Sequence, residues 1–224
     1  EFDYVTQNNI VTADSLHVPT GAVVQLDLES SNVIHSFWIP QLTGKTDVIP
    51  GHHNHMWFTA DHAGTYFGAC AEFCGDQHAN MRFDVVAEDP NTFQTWVSSE
   101  QQNAAAPAAG SLAEQGAKLF AGSGGCTGCH GIVGVNLTSY TDAKANGLVG
   151  PNLTHFGSRR LIAGGVLSWD PNSCAIGTDG KLVNKDNCGL YKWLQDPQAV
   201  KPGNDMVIGQ LTDTQITQLI AYLE

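Results

Sequence analysis

The 224-residue sequence has no apolar run of the roughly 20 residues that a membrane-spanning helix needs. No positively charged, apolar leader of the secretory type is visible at its start either. Basic residues are scarce: ten Lys and Arg stand against 22 Asp and Glu, a net charge of −12. That balance excludes nucleic-acid binding and favours a basic or cationic partner. There is no second Cys-x-x-Cys and no βαβ pattern around the one at Cys126 and Cys129, which argues against a zinc ribbon and a thioredoxin-like dithiol. Methionine is limited to three residues, of which only Met206 follows residue 81.

Against that background, the stretch from Cys70 to Met81 is dense in chemistry: Cys-Ala-Glu-Phe-Cys-Gly-Asp-Gln-His-Ala-Asn-Met. Two thiols, an imidazole and a thioether lie within twelve residues, a soft donor set suited to copper. Cys74, His78 and Met81 alone would make a single-copper loop. The additional thiol, Cys70, allows two thiolates to bridge two coppers. Two metals need further ligands, for which His35 and the backbone carbonyl of Glu72 are the candidates. The competing reading is a Cys70–Cys74 disulfide beside an unrelated histidine; the ligand spacing continuing to His78 and Met81 argues against it.

Residues 1–90 alternate with the period of half-buried strands: Val24, Leu26 and Leu28 against Gln25, Asp27 and Glu29, and Met56, Phe58 and Ala60 against Trp57, Thr59 and Asp61. Turn signals at Pro19-Thr20-Gly21, Pro50-Gly51 and Ala63-Gly64 separate them, which predicts an all-β Greek-key sandwich. Residues 91–110 lose the alternation and read as a linker, with a short helix around Phe93–Val97. Residues 111–224 read as an all-α domain. Ser111 with Glu114 and Thr212 with Gln215 have capping-box spacing, and Ile216, Leu219, Ile220 and Leu223 form a helical stripe. Cys126-Thr127-Gly128-Cys129-His130 is the pattern for covalent haem c, with both cysteines as thioether sites and His130 as an axial ligand. Cys174 and Cys188 remain. They can pair once, pinning the intervening Gly- and Asn-containing loop, or stay as free thiols; a pair implies an oxidising compartment.

Residues 1–90, through Cys-Ala-Glu-x-Cys-Gly-x-x-His-x-x-Met and the upstream His35-Ser36-Phe37-Trp38-Ile39-Pro40, resemble the cupredoxin-like binuclear copper (CuA) domain of cytochrome c oxidase subunit II. Residues 111–224 resemble a class I cytochrome c. That resemblance implies that the Pro151 carbonyl, in Gly150-Pro151-Asn152-Leu153, orients His130, and that Met206 is the distal iron ligand, although Val207 follows it where the family usually has Pro. It also implies that Tyr222 packs on Gly116, and that Trp193, Arg159 and Arg160 sit near the haem propionates. In the oxidase family the Glu72 carboxylate helps to bind Mg or Mn at the boundary with subunit I. The tryptophan-rich segment and membrane anchor of that family would precede Phe2 and are absent from the sequence.

Together the two halves resemble the fused subunit II of caa-type oxidases. The resemblance implies an enzyme subunit that passes single electrons from haem c to CuA and on to haem a of subunit I for the reduction of oxygen. It implies an external donor such as a basic cytochrome c, and a place on the extracytoplasmic face of a bacterial cytoplasmic membrane. The alternatives are a CuA/haem c protein of a denitrification-type reductase and a copper-delivery protein, although a copper carrier has no use for covalent haem. His52, His53 and His55 are read as solvated strand residues, and His17, His62 and His155 as lone histidines.

Overall fold

A computed structural model describes residues 1–7, 10–142 and 146–224. The N-terminal half is built from β1 (Phe2–Tyr4), β2 (Ile10–Thr12), β3 (Ser15–Pro19), β4 (Val23–Leu28), β5 (His35–Trp38), β6 (Thr46–Val48), β7 (Asn54–Thr59), β8 (Gly64–Cys70) and β9 (Arg82–Glu88). A five-stranded sheet has the order β3-β9-β8-β5-β6 and a second sheet pairs β4 with β7. All pairings are antiparallel except β3 with β9, where His17 lies opposite Val86. The expected alternation holds: Leu28, Met56 and Phe58 are buried while Gln25, Asp27, His55 and Trp57 face out. Leu16, Val18, Ile39, Phe58, Ala60, Val85 and Ala87 fill the space between the sheets. Non-polar burial on one face only is what fixes the register of such strands.

The helix foreseen at Phe93–Val97 is longer, α1 (Pro90–Glu100), so the stretch without helix or strand is confined to 101–111. Its start is chemically specified. The Asp89 carboxylate accepts from the Asn91 and Thr92 N–H groups, and Pro90 takes the first helical position. Phe93, Trp96 and Val97 make the helix face that packs inward. The polar Ser98-Ser99 pair masked this periodicity in the sequence.

In the C-terminal half, α2 (Leu112–Ala121) lies against α5 (Asp213–Leu223), with α3 (Gly189–Gln195) and α4 (Pro197–Val200) beside them. Ser111 caps α2, and Thr212 with Gln215 forms a full capping box on α5. The crossing is close at Gly116: a Cβ there would lie 2.0 Å from the Gln218 carbonyl oxygen and 2.8 Å from Tyr222 Cβ. The all-helical expectation needs correcting between these helices. Most of the described residues in 122–188 lie in turns, and they include a small hairpin, β10 (Leu161–Ile162) with β11 (Leu167–Ser168). The frequent Gly, Asn and Asp in that stretch favour turns over helix. Leu119, Phe120, Trp169, Leu190, Ile216, Leu219 and Ile220 form the main core of this half.

A third core joins the two halves. Ile10 from the N-terminal hairpin and Val97 from α1 pack with Val133, Leu137 and Tyr140. The Tyr140 hydroxyl donates to the Glu100 carbonyl (2.7 Å) and the Asn152 N–H to the Glu1 carboxylate (3.0 Å).

Candidate metal centre

The Cys70–Met81 segment leaves the end of β8 and re-enters the sheet as β9. Its ends are held by backbone hydrogen bonds from Cys70 N–H to the Met81 carbonyl (3.0 Å) and from Ala71 N–H to the Ser36 carbonyl (2.8 Å). Gly75 turns the loop at a φ of 119°, a conformation that favours glycine. A 3-10 turn, His78–Asn80, then brings His78 back toward the thiols. His35 comes from the first position of β5, the neighbour of β8.

All six expected donors converge. Cys70 Sγ lies 3.8 Å from Cys74 Sγ, 3.8 Å from His35 Nδ1 and 3.2 Å from the Glu72 carbonyl oxygen. Cys74 Sγ lies 3.6 Å from His78 Nδ1 and 3.9 Å from Met81 Sδ. The two sulfurs are unbonded, so the disulfide alternative does not describe this loop. With metal–sulfur bonds of about 2.3 Å, sulfurs 3.8 Å apart can share one metal at close to the tetrahedral angle. The donor set, two bridging-capable sulfurs with imidazole, thioether and carbonyl around them, fits soft first-row metals, copper foremost.

The protonation pattern suits the same purpose. His35 Nε2 faces the Asn32 carbonyl oxygen (Oδ1) at 3.0 Å. An amide oxygen only accepts, so Nε2 carries the proton and Nδ1 keeps a free lone pair toward Cys70. Burial, then the neighbouring His78, keeps the His35 pKa below its ordinary value, in the neutral form that binds metal. Burial, reinforced by Cys70, pushes the Cys74 thiol up to about 11. A pair of adjacent thiolates therefore needs a cation to hold it. Glu72 itself is exposed, its carboxylate free to face outward while its carbonyl faces the thiol.

In the second half, Cys126–Gly128 forms a 3-10 turn, and Cys126 and Cys129 are free thiols. The Pro151 carbonyl accepts from His130 Nδ1 (2.9 Å), which leaves the Nε2 lone pair free to bind a metal. The strand of chain before Pro151 lies flat on the ring: a Cβ on Gly150 would be 2.6 Å from it. Burial keeps the His130 imidazole below its ordinary pKa, again neutral. These residues fit a covalently attached haem. Met206 is half-buried beside the C-terminal core, its N–H held by Asn204 Oδ1 at 2.8 Å. Trp193 is likewise half-buried against that core.

Arg159 donates to the Asn152 carbonyl and covers the Phe156 ring. Arg160 reaches the N-terminal half, 3.4 Å from the Asp84 carboxylate and 3.3 Å from the Thr65 hydroxyl. Cys174 and Cys188 are joined in a buried disulfide, and the Cys188 sulfur also accepts the Tyr191 N–H at the start of α3 (3.3 Å). His53 and His55 are exposed, paired with Glu29 and Asp27. Asn32, Gln77 and Lys201 contact the metal loop and its supports without having been singled out in the sequence. The capping-type run Ser30-Ser31-Asn32 just before His35 was the only local signal for any of them.

The two sheets and the converging thiols define a cupredoxin-like domain with a soft-metal centre at one end. Residues 4–88 match the family described as cytochrome C oxidase subunit II, periplasmic domain. The whole chain is 34% identical over 224 residues to cytochrome c oxidase subunit 2 of Alkalihalophilus pseudofirmus, covering 57% of that relative. It is 36% identical over 232 residues to the subunit of the same name from Bacillus sp. strain PS3, again over 100% of this chain and covering 58% of that relative. The chain thus spans a little over half the length of these curated relatives. Among solved structures, the periplasmic domain of subunit II of cytochrome oxidase from Bradyrhizobium japonicum superposes with a TM-score of 0.41 at 27% identity, over 44% of this chain and 83% of that one.

Proposed function

We propose that this chain is the electron-transfer portion of a caa-type cytochrome c oxidase subunit II, taking single electrons at haem c and passing them through CuA to haem a of subunit I for reduction of oxygen to water. The observation that carries this reading is the convergence of six copper-type donors around two unbonded thiols 3.8 Å apart. The His130 geometry at Cys126 and Cys129 supports the haem half. When bound, the binuclear copper and the haem supply one-electron exchange with little change of geometry.

The chain's own residues do the rest. Cys70, Cys74, His35, His78, Met81 and the Glu72 carbonyl would hold the coppers. Asn32 fixes the His35 tautomer as Pro151 fixes that of His130. His130 and Met206 would both hold the haem iron, an arrangement that suits electron transfer rather than oxygen chemistry. Carrying donor and acceptor on one chain raises their effective concentration. Trp38, Phe73 and Met81 leave the copper end apolar and exposed, with Phe73 75% accessible, a surface suited to burial against subunit I. The exposed Glu72 carboxylate is the contribution of this chain to a Mg or Mn site shared with that subunit. The acidic surface suits a basic cytochrome c as external donor. The Cys174–Cys188 disulfide accords with an extracytoplasmic location.

The purified chain, loaded with copper and haem, tests both halves. Electron resonance is expected to show one unpaired electron shared over two coppers, and optical spectra a low-spin haem with His and Met ligands. A single-copper spectrum refutes the binuclear centre; ready binding of carbon monoxide by the reduced haem refutes the Met206 ligation.

A further inference from the structure

The copper-ligand loop is gripped from the other half of the molecule. Gln77 Nε2 donates to the Pro202 carbonyl at 2.6 Å, and Lys201 Nζ donates to the carbonyls of Asn80 (3.4 Å) and Ala163 (3.1 Å). The Arg82 N–H donates to the Gly164 carbonyl at 3.0 Å. β3 covers the edge of β9 only from Asp84 onward, so Arg82 lies on an edge that β3 leaves uncovered. The tip of the β10–β11 hairpin occupies it, as an added strand would.

That tip is conformationally expensive. Ala163, Gly164 and Gly165 have φ values of 59°, 71° and 77°. A left-handed alanine persists only where its surroundings over-determine it. A Cβ on Gly164 would lie 2.9 Å from the Asn80 carbonyl and 3.0 Å from Lys201 Nζ, and one on Gly165 would lie 3.0 Å from Arg82 Cβ. The close approach to the copper loop thus requires glycine at positions 164 and 165.

The gripping loop is the one that carries Met206. The Met206 N–H bonds to Asn204 Oδ1 (2.8 Å), Asn204 Nδ2 donates to the Lys201 carbonyl (2.6 Å), and Gln198 braces the Asn204 carbonyl and the Gly203 N–H (2.8 and 3.0 Å). From Lys201 one branch reaches Asn80, the neighbour of Met81, while from Pro202 another reaches Gln77, the neighbour of His78. A hydrogen-bonded network therefore links the distal-ligand loop to two of the copper ligands' immediate neighbours.

We propose that residues 198–206 and the hairpin tip 163–165 form a clasp on Gln77–Arg82 that sets the spacing between the two redox sites and supplies the bonded route between Met206 and the His78–Met81 side of the copper centre. This rests on the haem c and CuA reading above. Gln77 and Lys201 are its positioning residues, since each joins the halves without itself ligating metal.

The test uses the full chain loaded with copper and haem, as wild type, as Q77L/K201M and as K201R. Removing two cross-half hydrogen bonds, one of them charged, shifts the closed-to-open ratio of the clasp by about tenfold to a hundredfold. Hydrogen exchange at the Arg82 amide is expected to accelerate by that factor in Q77L/K201M, while the amides of the Tyr66–Val85 pair exchange as before. The copper resonance and haem spectrum stay unchanged, flash-initiated transfer from haem to copper slows, and K201R retains both wild-type behaviours. Wild-type Arg82 exchange in Q77L/K201M overturns the clasp. Faster exchange with undiminished electron transfer overturns its role in the relay. Absence of transfer in the unsubstituted chain overturns the relay reading itself, and the exchange data still decide whether the clasp exists.

Discussion

Asn32 offers a direct test of how the metal centre is prepared. Its side-chain oxygen accepts from His35 Nε2 at 3.0 Å and from the Val33 N–H at 2.7 Å, and the Asn32 N–H rests on the Ser30 hydroxyl at 3.4 Å. The oxygen thus locks both the short turn before β5 and the tautomer of His35, the first candidate imidazole donor. In Asn32→Ala the imidazole can place its proton on either nitrogen and turn about its bonds; only part of that population presents a Nδ1 lone pair to Cys70. Loss of such an outer partner lowers metal affinity by about tenfold to a hundredfold, or about 1.4 to 2.7 kcal/mol. Competition for copper against a chelator of known affinity reads the change. Asn32→Asp keeps an acceptor in place and is expected to recover most of the affinity. Copper binding in Asn32→Ala within about twofold of wild type, well short of the effect expected for such a partner, refutes the argument that the Asn32 contact prepares His35.

Two further outcomes follow from the cores. Gly116→Ala improves intrinsic helix propensity by about 1 kcal/mol, yet its Cβ meets backbone at Gln218; overpacking of about 1 to 3 kcal/mol or more makes the variant less stable in denaturant titrations, whereas Gly209→Ala, with open space around it, is near neutral. Equal or greater stability of Gly116→Ala would show that the α2–α5 crossing is looser than described. Glu100 is 4% exposed, and burial raises its pKa against the opposing pull of His155, the Ser158 hydroxyl and Arg159. The folded state therefore binds its proton more tightly than the unfolded chain does, so the Glu100 contribution to stability grows as pH falls through the raised value and levels off below the ordinary carboxylate pKa. Glu100→Gln removes that component, visible as a flatter dependence of the denaturation midpoint on pH; an unchanged profile counts against it.

The candidate metal loop was legible because its donor side chains are close in sequence and chemically distinctive, and only His35 had to be brought in from elsewhere. The sandwich strands were legible because Leu26, Met56 and Phe58 alternate with polar neighbours, whereas the close approach of Tyr222 to Gly116 was implied only by the resemblance to a class I cytochrome c. The contacts of Lys201 were not: a lysine in a Pro-Gly turn carries no mark of the carbonyls it will meet from residues 80 and 163. Arg159 and Arg160 follow the same rule, since one residue of offset sends one guanidinium to Asn152 and the other to Asp84. Trp169 is buried with its indole N–H on the Gly157 carbonyl at 3.0 Å, inside a turn-rich region without periodicity to announce it. Helix α1 was cut short in the reading because its inward face depends on Trp96 stacking on His17, at 4.4 Å between ring centres, a partner 79 positions earlier in the chain.

The core shared by Ile10, Val97, Val133, Leu137 and Tyr140 has a consequence for how the molecule reaches this shape. The sandwich and the helical half each bury an interior of their own and can collapse independently. The shared core can form only afterwards, because its members come from the first dozen residues, from α1 and from beyond residue 130. Closing so long a loop is slow and entropically late. Until it closes, Ile10, Val97 and Tyr140 present an uncovered apolar face. The final docking of the halves is therefore the step at which this chain is most exposed to aggregation, and a refolding experiment is expected to resolve it as a phase distinct from the formation of either half.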